Sequence, residues 1–254
     1  LEGLSRYQLN QQLLNTLIEE QDVSAMFRRF RAAGELPYGA FGELVWETQR
    51  LEMQALAERV MAERQQAQSM EIDLQCGGVN LTGWLQQVQP DGLLRWRPSL
   101  LSVSQGMQLW LEHLVYCASG GTGESRLFVR KEGEWRFPPL APAEAQAYLN
   151  ELVDGYLLGM SPLLLLLPES GGAWLKACYD AEKDVILMDE ETQQKARSKF
   201  LQTYEGNMVV SGEGADIWYQ RLWRSLEPAH YEEIIAQTQR YLLPLYRYHR
   251  STQI

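Results

Sequence analysis

Polar side chains lie where a predicted β-hairpin is followed by a third strand and a helix, an arrangement in which two-metal hydrolases keep their catalytic groups. Gln86 lies on the second strand, and Arg95 and Arg97 lie on the third. Metal-dependent hydrolysis needs carboxylates on adjacent strands to bind Mg²⁺, together with a lysine near the attacking water. The sequence offers an amide and two guanidinium groups instead, and a guanidinium does not deprotonate to assist a water.

Two segments of these strands resemble the nucleases of the RecB-type PD-(D/E)xK family. Residues 83–88 (GWLQQV) resemble G-x-I-D-x-V, and residues 93–99 (LLRWRPS) resemble V-x-D-Y-K-T-S. The resemblance implies that Gln86 stands at the first metal acid, Arg95 at the second and Arg97 at the catalytic lysine. It implies a restriction-endonuclease-like α/β (α+β) core, a small mixed sheet flanked by helices, with no catalytic residues and no metal ion of its own.

The helix after the third strand departs from the same family pattern. Residues 106–111 (GMQLWL) lie where the Q-x-x-x-Y helix of these nucleases begins, but Gly106 replaces the Gln and Trp110 the Tyr. Glu71 and Asp73, on the first strand, are the acids that could replace the lost ones. They have no D-x-K partner, so solvated strand-face acids are the favoured interpretation.

Longer segments resemble the C-terminal domain of the RecC family, the gamma subunits of exodeoxyribonuclease V (RecBCD). The resemblance covers essentially the whole chain, so we expect a fragment of a longer protein. The segments that carry it are LSRYQLN (4–10), AAGELPYGAFG (32–42), PESGGAWLK (168–176), YEGN (204–207) and DIWYQR (216–221).

This resemblance implies a role in DNA recombination and double-strand break repair. In that family the domain is a degenerate nuclease fold that helps split the duplex, guides single strands and contacts the RecD motor. The expected partners are therefore RecB, RecD, and forked double-stranded and single-stranded DNA. ATP and Mg²⁺ are expected to act in other subunits of the helicase–nuclease. Two hairpins, at 74–81 and 127–137, are candidates for the strand-separating pin.

Charge limits where DNA could bind. The chain has 23 basic and 33 acidic residues, a net charge of −10, which does not favour phosphate binding over its whole surface. Residues 95–136 have six bases against four acids. This basic segment supplies the DNA-binding candidates, although charge alone favours the interpretation that these are solvated strand-face charges. The candidates are Arg126, Arg130, Lys131, Trp135 and Arg136.

The tryptophans could stack on nucleic-acid bases. Trp110 lies on an apolar helical stripe and Trp84 on a strand, so we expect both in the core. Trp96 alternates with two arginines and should face the interior while they face the degenerate pocket. Trp135, in a hairpin beside Lys131 and Arg136, is the best-placed residue for stacking.

Hydrophobic periodicity predicts one domain in three parts. Residues 1–69 form a helical lead-in, 70–140 a sheet core with a helix at 106–118, and 141–254 a helical remainder. The three cysteines form no C-x-x-C pair, which favours a reducing, cytoplasmic compartment. No signal peptide or membrane segment is expected, since the leucine run at 163–167 is far shorter than the about 20 apolar residues of a membrane helix.

Three functions remain open from the sequence, in order of preference. The first is a catalytically inactive nuclease-like module that handles DNA strands and contacts a helicase. The second is a purely protein–protein scaffold in which the basic segment is incidental. The third is an active Mg²⁺-dependent nuclease that uses relocated acids such as Glu71 or Asp73. A fold alone does not distinguish them.

Overall fold

A computed structural model describes residues 3–160, 165–222 and 225–250. A single 3₁₀ turn spans Glu213–Ala215. In chain order the elements are α1 (Gly3–Ile18), α2 (Ser24–Ala32), α3 (Ala40–Glu63), β1 (Gln68–Cys76), β2 (Val79–Gln89), β3 (Gly92–Trp96), α4 (Val103–Ala118), β4 (Glu124–Phe128), β5 (Glu134–Phe137), α5 (Pro142–Leu158), α6 (Pro168–Cys178), β6 (Tyr179–Asp180), β7 (Val185–Ile186), α7 (Glu190–Glu205), α8 (Ile217–Leu222), α9 (Pro228–Tyr241) and α10 (Leu243–Tyr248).

The main sheet is mixed and has the order β1-β2-β3-β4-β5. Its pairs β1–β2, β2–β3 and β4–β5 are antiparallel, whereas β3 and β4 are parallel. Parallel neighbours need a crossover, and α4 provides it between β3 and β4. The order predicted from the sequence, three antiparallel strands, a helix and further strand, is confirmed.

Alternating side chains of β3 and β4 pack on opposite faces of the sheet. Leu93 and Leu127 lie in a buried cluster with α4 and α5, while Leu94 and Phe128 lie in a second cluster with α1, α2 and α3. Successive strand residues point to opposite faces, so each strand contributes to both clusters. The sheet is thereby flanked by helices on both sides, as predicted.

The C-terminal helices form a third cluster around Trp174 and Phe200, both at most 1% exposed. Leu165 and Leu167 are buried in it, so this part of the leucine run belongs to the core. Residues 163 and 164 lie outside the described part of the chain. No helix in the described ranges is long and apolar enough to cross a bilayer.

Several element boundaries differ from the sequence prediction for local reasons. The crossover helix begins at Val103 rather than at 106, because the Ser102 hydroxyl accepts from the Gln105 amide and caps it. The long third helix ends at Glu63, and β1 begins at Gln68. Within the predicted helical remainder, the 3₁₀ turn precedes α8, and residues 223 and 224 lie outside the described ranges.

Candidate functional site

Arg95 lies between β3 and α4 and uses all three guanidinium nitrogens. Its Nε donates to Oε2 of Glu112 on α4 at 2.7 Å. One terminal nitrogen donates to the carbonyl of Gln86 at 2.8 Å, and the other donates to the carbonyls of Gln87 and Leu94 at 3.1 and 3.2 Å. A fixed cation bound by one carboxylate and three carbonyl oxygens therefore occupies this position.

A β-bulge separates Gln86 from the rest of this site. Gln68 pairs with Val88 and Met70 with Leu85, so Gln86 and Gln87 together lie opposite Ser69. Gln87 has a φ of 56°, as expected for a bulge residue in the left-handed region. The Gln86 amide oxygen accepts from the Ser69 hydroxyl. The structure thus brings the Gln86 carbonyl to Arg95, but the Gln86 side chain turns to β1.

Arg97 follows β3 directly and lines the same pocket as Arg95. Its guanidinium donates to the Gln108 side-chain oxygen of α4 at 3.3 Å. Trp96 points to the other face and packs against the cluster of α1, α2 and α3. The predicted alternation is therefore confirmed: the two arginines line a small pocket against α4, and the tryptophan faces the interior. That pocket is lined by Arg95, Trp96, Arg97, Gln105, Gln108, Leu109, Glu112 and Leu127.

Glu112 and Gln108 were not among the residues singled out from the sequence. Gln105, Gln108 and Glu112 recur at helical spacing on α4, so they share the face that meets β3. This polar stripe, read together with the two strand arginines, is the signal that could have identified the Glu112 contact. The N-terminus of α4 is held by Glu169 of α6, which accepts from the amides of Val103 and Ser104.

The positions of the Q-x-x-x-Y resemblance on α4 are both packed against aromatic rings. A Cβ built on Gly106 would lie 2.4 Å from Cε2 of Trp135. Trp110 is 2% exposed, as predicted, and stacks on Tyr248 with ring centroids 5.5 Å apart. Both positions contribute to packing in this fold.

Glu71 and Asp73 lie on the exposed face of β1. Ile72, between them, is buried in the same cluster as Leu93, so the two acids point to the opposite face. Arg95 lies two residues after Leu93 and shares its face. The sheet therefore lies between these acids and the pocket of Arg95 and Arg97. Among the described residues, no three His, Cys, Asp or Glu side chains form a group that could hold a metal ion.

The three arginines among the DNA-binding candidates are each paired with an acid. Arg126 contacts Glu63 and Glu134, each at 3.0 Å. Burial lowers the pKa of Arg126, but its hydrogen bonds to Glu134 and Glu63 outweigh this and raise the pKa above its ordinary value. Arg130 contacts Glu52 at 2.9 Å, and Arg136 contacts Glu124 at 2.7 Å. These cations are already neutralised by carboxylates within the domain.

The two remaining DNA-binding candidates differ from each other. Lys131 is exposed at the tip of the β4–β5 hairpin and, among the described residues, makes no ion pair. Trp135 is 2% exposed, and its indole N–H donates to the Ser102 carbonyl at 2.9 Å. The expectation that Trp135 could stack on a base is therefore wrong for this fold, because α4 and the C-terminal residues cover the ring.

Trp84 also differs from its prediction. It was expected in the core, but it is 61% exposed and lies opposite Glu71 on β1. Helices α1 to α3 pack on Leu94 of β3 and Phe128 of β4 on this side of the sheet, and none of the described residues of β1 and β2 belongs to that cluster. Exposure of Trp84 therefore depends on how far the helical layer extends, which strand alternation does not reveal.

The fold and the site together define a mixed α/β domain with a sheet between helical layers and a cleft that holds guanidinium groups. A family model described as "RecC C-terminal domain" matches residues 1–179. The chain belongs to this family.

Proteins named "RecBCD enzyme subunit RecC" are similar to the chain along almost its whole length. The one from Escherichia coli (strain K12) is 72% identical over 251 residues, which are 99% of this chain and 22% of that protein. Those from Buchnera aphidicola subsp. Acyrthosiphon pisum and subsp. Schizaphis graminum are 31% and 28% identical over 95% and 96% of the chain. The chain spans 22 to 23% of the length of these relatives.

Proposed function

We propose that this chain acts as a catalytically inactive, nuclease-like module of a RecBCD-type helicase–nuclease, in which it handles DNA strands. The names of its relatives support membership of such a complex. The strand order, with three antiparallel strands, a crossover helix and a parallel fourth strand, supports a PD-(D/E)xK-like core.

The observation that carries the proposal is the position of Arg95. It stands at the second metal acid of the resembled family, and its guanidinium uses Glu112, the nearest carboxylate. Two unit charges about 4 Å apart interact by about 4 kcal/mol at an effective dielectric of about 20, so a dication beside this guanidinium would be repelled by about 8 kcal/mol. Glu112 offsets part of that repulsion, but it cannot serve the guanidinium and a metal ion fully at once.

The β1–β2 hairpin is the better candidate for a strand-separating pin. Its strands run nine and eleven residues, and β2 pairs with β3 at Val88 and Gln89 near one end. The hairpin therefore projects past the rest of the sheet as a two-stranded ribbon, residues 68–87. The β4–β5 hairpin has shorter strands, of five and four residues, and its turn lies against α3, where Arg59 donates to the carbonyls of Val129, Glu132 and Gly133.

The remaining parts of the proposal follow from the family. The module would contact RecB and RecD in the cytoplasm and meet forked and single-stranded DNA. ATP and Mg²⁺ would be used by the other subunits, for unwinding and cleavage during recombination and break repair. The exposed Trp84 on the ribbon supports contact with a partner or with DNA, since large exposed aromatics are common at such surfaces.

The test is an assay of the full-length subunit, purified without its partners, on labelled single-stranded DNA with Mg²⁺. We expect no cleavage by the parent protein or by Asp73→Ala. Cleavage that Asp73→Ala or Glu71→Ala abolishes would establish the active-nuclease alternative and overturn the proposal. Cleavage unchanged in both variants, but abolished by Glu112→Ala, would overturn it equally, because it would place a functional acid beside Arg95.

A protein–protein scaffold is the second candidate, and the ion pairs of the basic segment favour it. Arg126, Arg130 and Arg136 are each bound by a carboxylate, so few charges are free to attract phosphate. A Lys131→Ala/Arg136→Ala double variant of the assembled complex, measured on forked DNA at low and moderate salt, separates the two functions. Affinity equal to the parent at both salt concentrations would favour the scaffold.

A further inference from the structure

The base of the β1–β2 ribbon is attached to the sheet by a short ladder. β2 pairs with β3 through Val88–Leu93 and Gln89–Gly92. The bulge at Gln86 and Gln87 lies directly before Val88 in the chain. On the ribbon side of the bulge, β2 turns away from β3. Among the described residues, strand pairing of β2 with β3 stops at Val88, so the carbonyls of Gln86 and Gln87 can accept from a side-chain donor.

Arg95 supplies that donor. Its two terminal nitrogens bind the consecutive carbonyls of Gln86 and Gln87, and its Nε is held by Glu112. The guanidinium therefore joins three elements: the ribbon base, β3 and the crossover helix α4. The side chains of Arg95 and Glu112 are 21% and 25% exposed, so water competes with these bonds less than at a fully exposed pair.

The other end of the ribbon has a separate anchor. Gln146 of α5 donates to the Gln75 carbonyl near the hairpin turn at 3.0 Å. Ile72, Cys76 and Leu85 also pack in the cluster that contains α5. The turn and the inner face of the ribbon thus contact α5, whereas its base contacts Arg95 at the bulge.

We infer that Arg95 and Glu112 form a positioning pair that sets the direction of the β1–β2 ribbon relative to the sheet. The use of this direction in DNA strand separation rests on the proposed function; the positioning itself does not. Arginine is required rather than lysine, because a planar fork reaches two successive carbonyls and a carboxylate at once, whereas a lysine ammonium is a point donor.

Amide hydrogen exchange of the full-length subunit in its assembled complex tests the pair. In Arg95→Ala, we expect peptides covering residues 79–89 to exchange roughly tenfold faster or more, since a bond to a charged group is among the stronger hydrogen bonds. Peptides covering 124–137 should keep the exchange rate of the parent. Glu112→Gln and Arg95→Lys, which retain the side-chain bulk, should give smaller increases in the same peptides.

The matched control is Arg97→Ala, two residues after Arg95 and in the same pocket. Arg97 bonds to Gln108 through its side chain and to no carbonyl of β2, so its loss should leave exchange in 79–89 unchanged. Unchanged exchange in the ribbon of all three Arg95 and Glu112 variants would overturn the inference. An equal increase throughout the domain would also overturn it, because it would indicate general destabilisation.

Unwinding of a blunt duplex by the same complexes separates this inference from the proposed function. Faster amide exchange in the ribbon together with slower unwinding supports both the positioning pair and the proposed function. Faster amide exchange in the ribbon, with an unwinding rate equal to that of the parent, supports the positioning pair. It contradicts the role of the ribbon as the strand-separating pin. If amide exchange in the ribbon is unchanged, the positioning pair is contradicted, whatever the unwinding rate.

Discussion

The indole ring of Trp135 lies directly on the backbone of Gly106, so that a Cβ at this glycine would be 2.4 Å from Cε2 of the ring. Gly106 stands where the resembled nucleases have the Gln of their Q-x-x-x-Y helix. The close approach explains why a side chain is absent there, because the ring of Trp135 from β5 occupies the space. The position that would carry a functional side chain thus serves the packing of sheet against helix.

We predict that Gly106→Ala destabilises the chain. Alanine improves helix propensity by about 1 kcal/mol over glycine. Overpacking against a buried ring costs about 1–3 kcal/mol, and the nearest atoms are the rigid fused carbons of Trp135. A net loss of up to about 2 kcal/mol should appear in denaturant unfolding. In a Trp135→Leu background the same change should be neutral or stabilising, and a loss equal in both backgrounds would contradict the contact.

Much of the fold follows from hydrophobic periodicity. The change from a helical to an alternating pattern at residue 70 located the first strand, and the hairpin predicted at 74–81 has its turn at Gly77-Gly78. Both hairpins and the crossover helix were predicted for this reason. The exposure of Trp84 and the burial of Trp135 were not predicted. Strand alternation assigns each side chain to one face of the sheet, but it does not say which face a distant helix covers.

The site was only half predictable for a related reason. Motif alignment gave Arg95 and Arg97 their correct common face. It placed the Gln86 side chain beside them, but a bulge adds one residue to β2 and turns that side chain away. Bulges depend on backbone geometry that the neighbouring strand also determines, so the residue sequence of one strand does not reveal them.

Truncation of Trp135 and of Trp84 to alanine should change the free energy of unfolding by very different amounts. Trp135→Ala removes a ring that is 2% exposed and should cost about 3–5 kcal/mol of unfolding free energy. Trp84→Ala changes a 61% exposed position and should stay within about 0.5 kcal/mol of the parent. Thermal unfolding of both variants measures this contrast. A loss above about 2 kcal/mol for Trp84→Ala would show that its ring is packed in the folded protein.

Substitutions at Arg126 and Lys131 should affect different properties: the first should lower stability, and the second should weaken DNA binding. Arg126→Ala removes a guanidinium that binds both Glu63 and Glu134, and the Glu134 side chain is 9% exposed, so the change should cost about 2–3 kcal/mol. Lys131→Asn removes an exposed charge and suits the positive φ of 56° at that turn, so stability should be kept. If the proposed DNA contact is correct, Lys131→Asn lowers fork affinity and reduces the salt slope by about 1. Weaker DNA binding by Arg126→Ala at unchanged stability would reverse these assignments.

Acid should destabilise the domain through His113. This residue is fully buried on α4, and its Nδ1 lies 2.7 Å from the Ser125 hydroxyl of β4. Burial lowers the pKa of His113 from 6.5 to about 4, against a smaller opposing effect of a hydrogen bond to the Pro138 backbone. The imidazole is therefore neutral in the fold, whereas the unfolded chain takes up a proton below pH about 6.5.

Because the pKa of His113 is lower in the folded state, its stabilising contribution is complete above pH 6.5 and is lost as the pH falls toward about 4. The difference corresponds to roughly 3 kcal/mol at most. In His113→Gln, unfolding free energy should fall less steeply between these pH values. Part of the slope should remain, since burial also lowers the pKa of His249. Ser125→Ala, which removes the partner and keeps the titrating ring, should lower stability but retain the steep slope; equal slopes in all three proteins would exclude His113 as the group responsible.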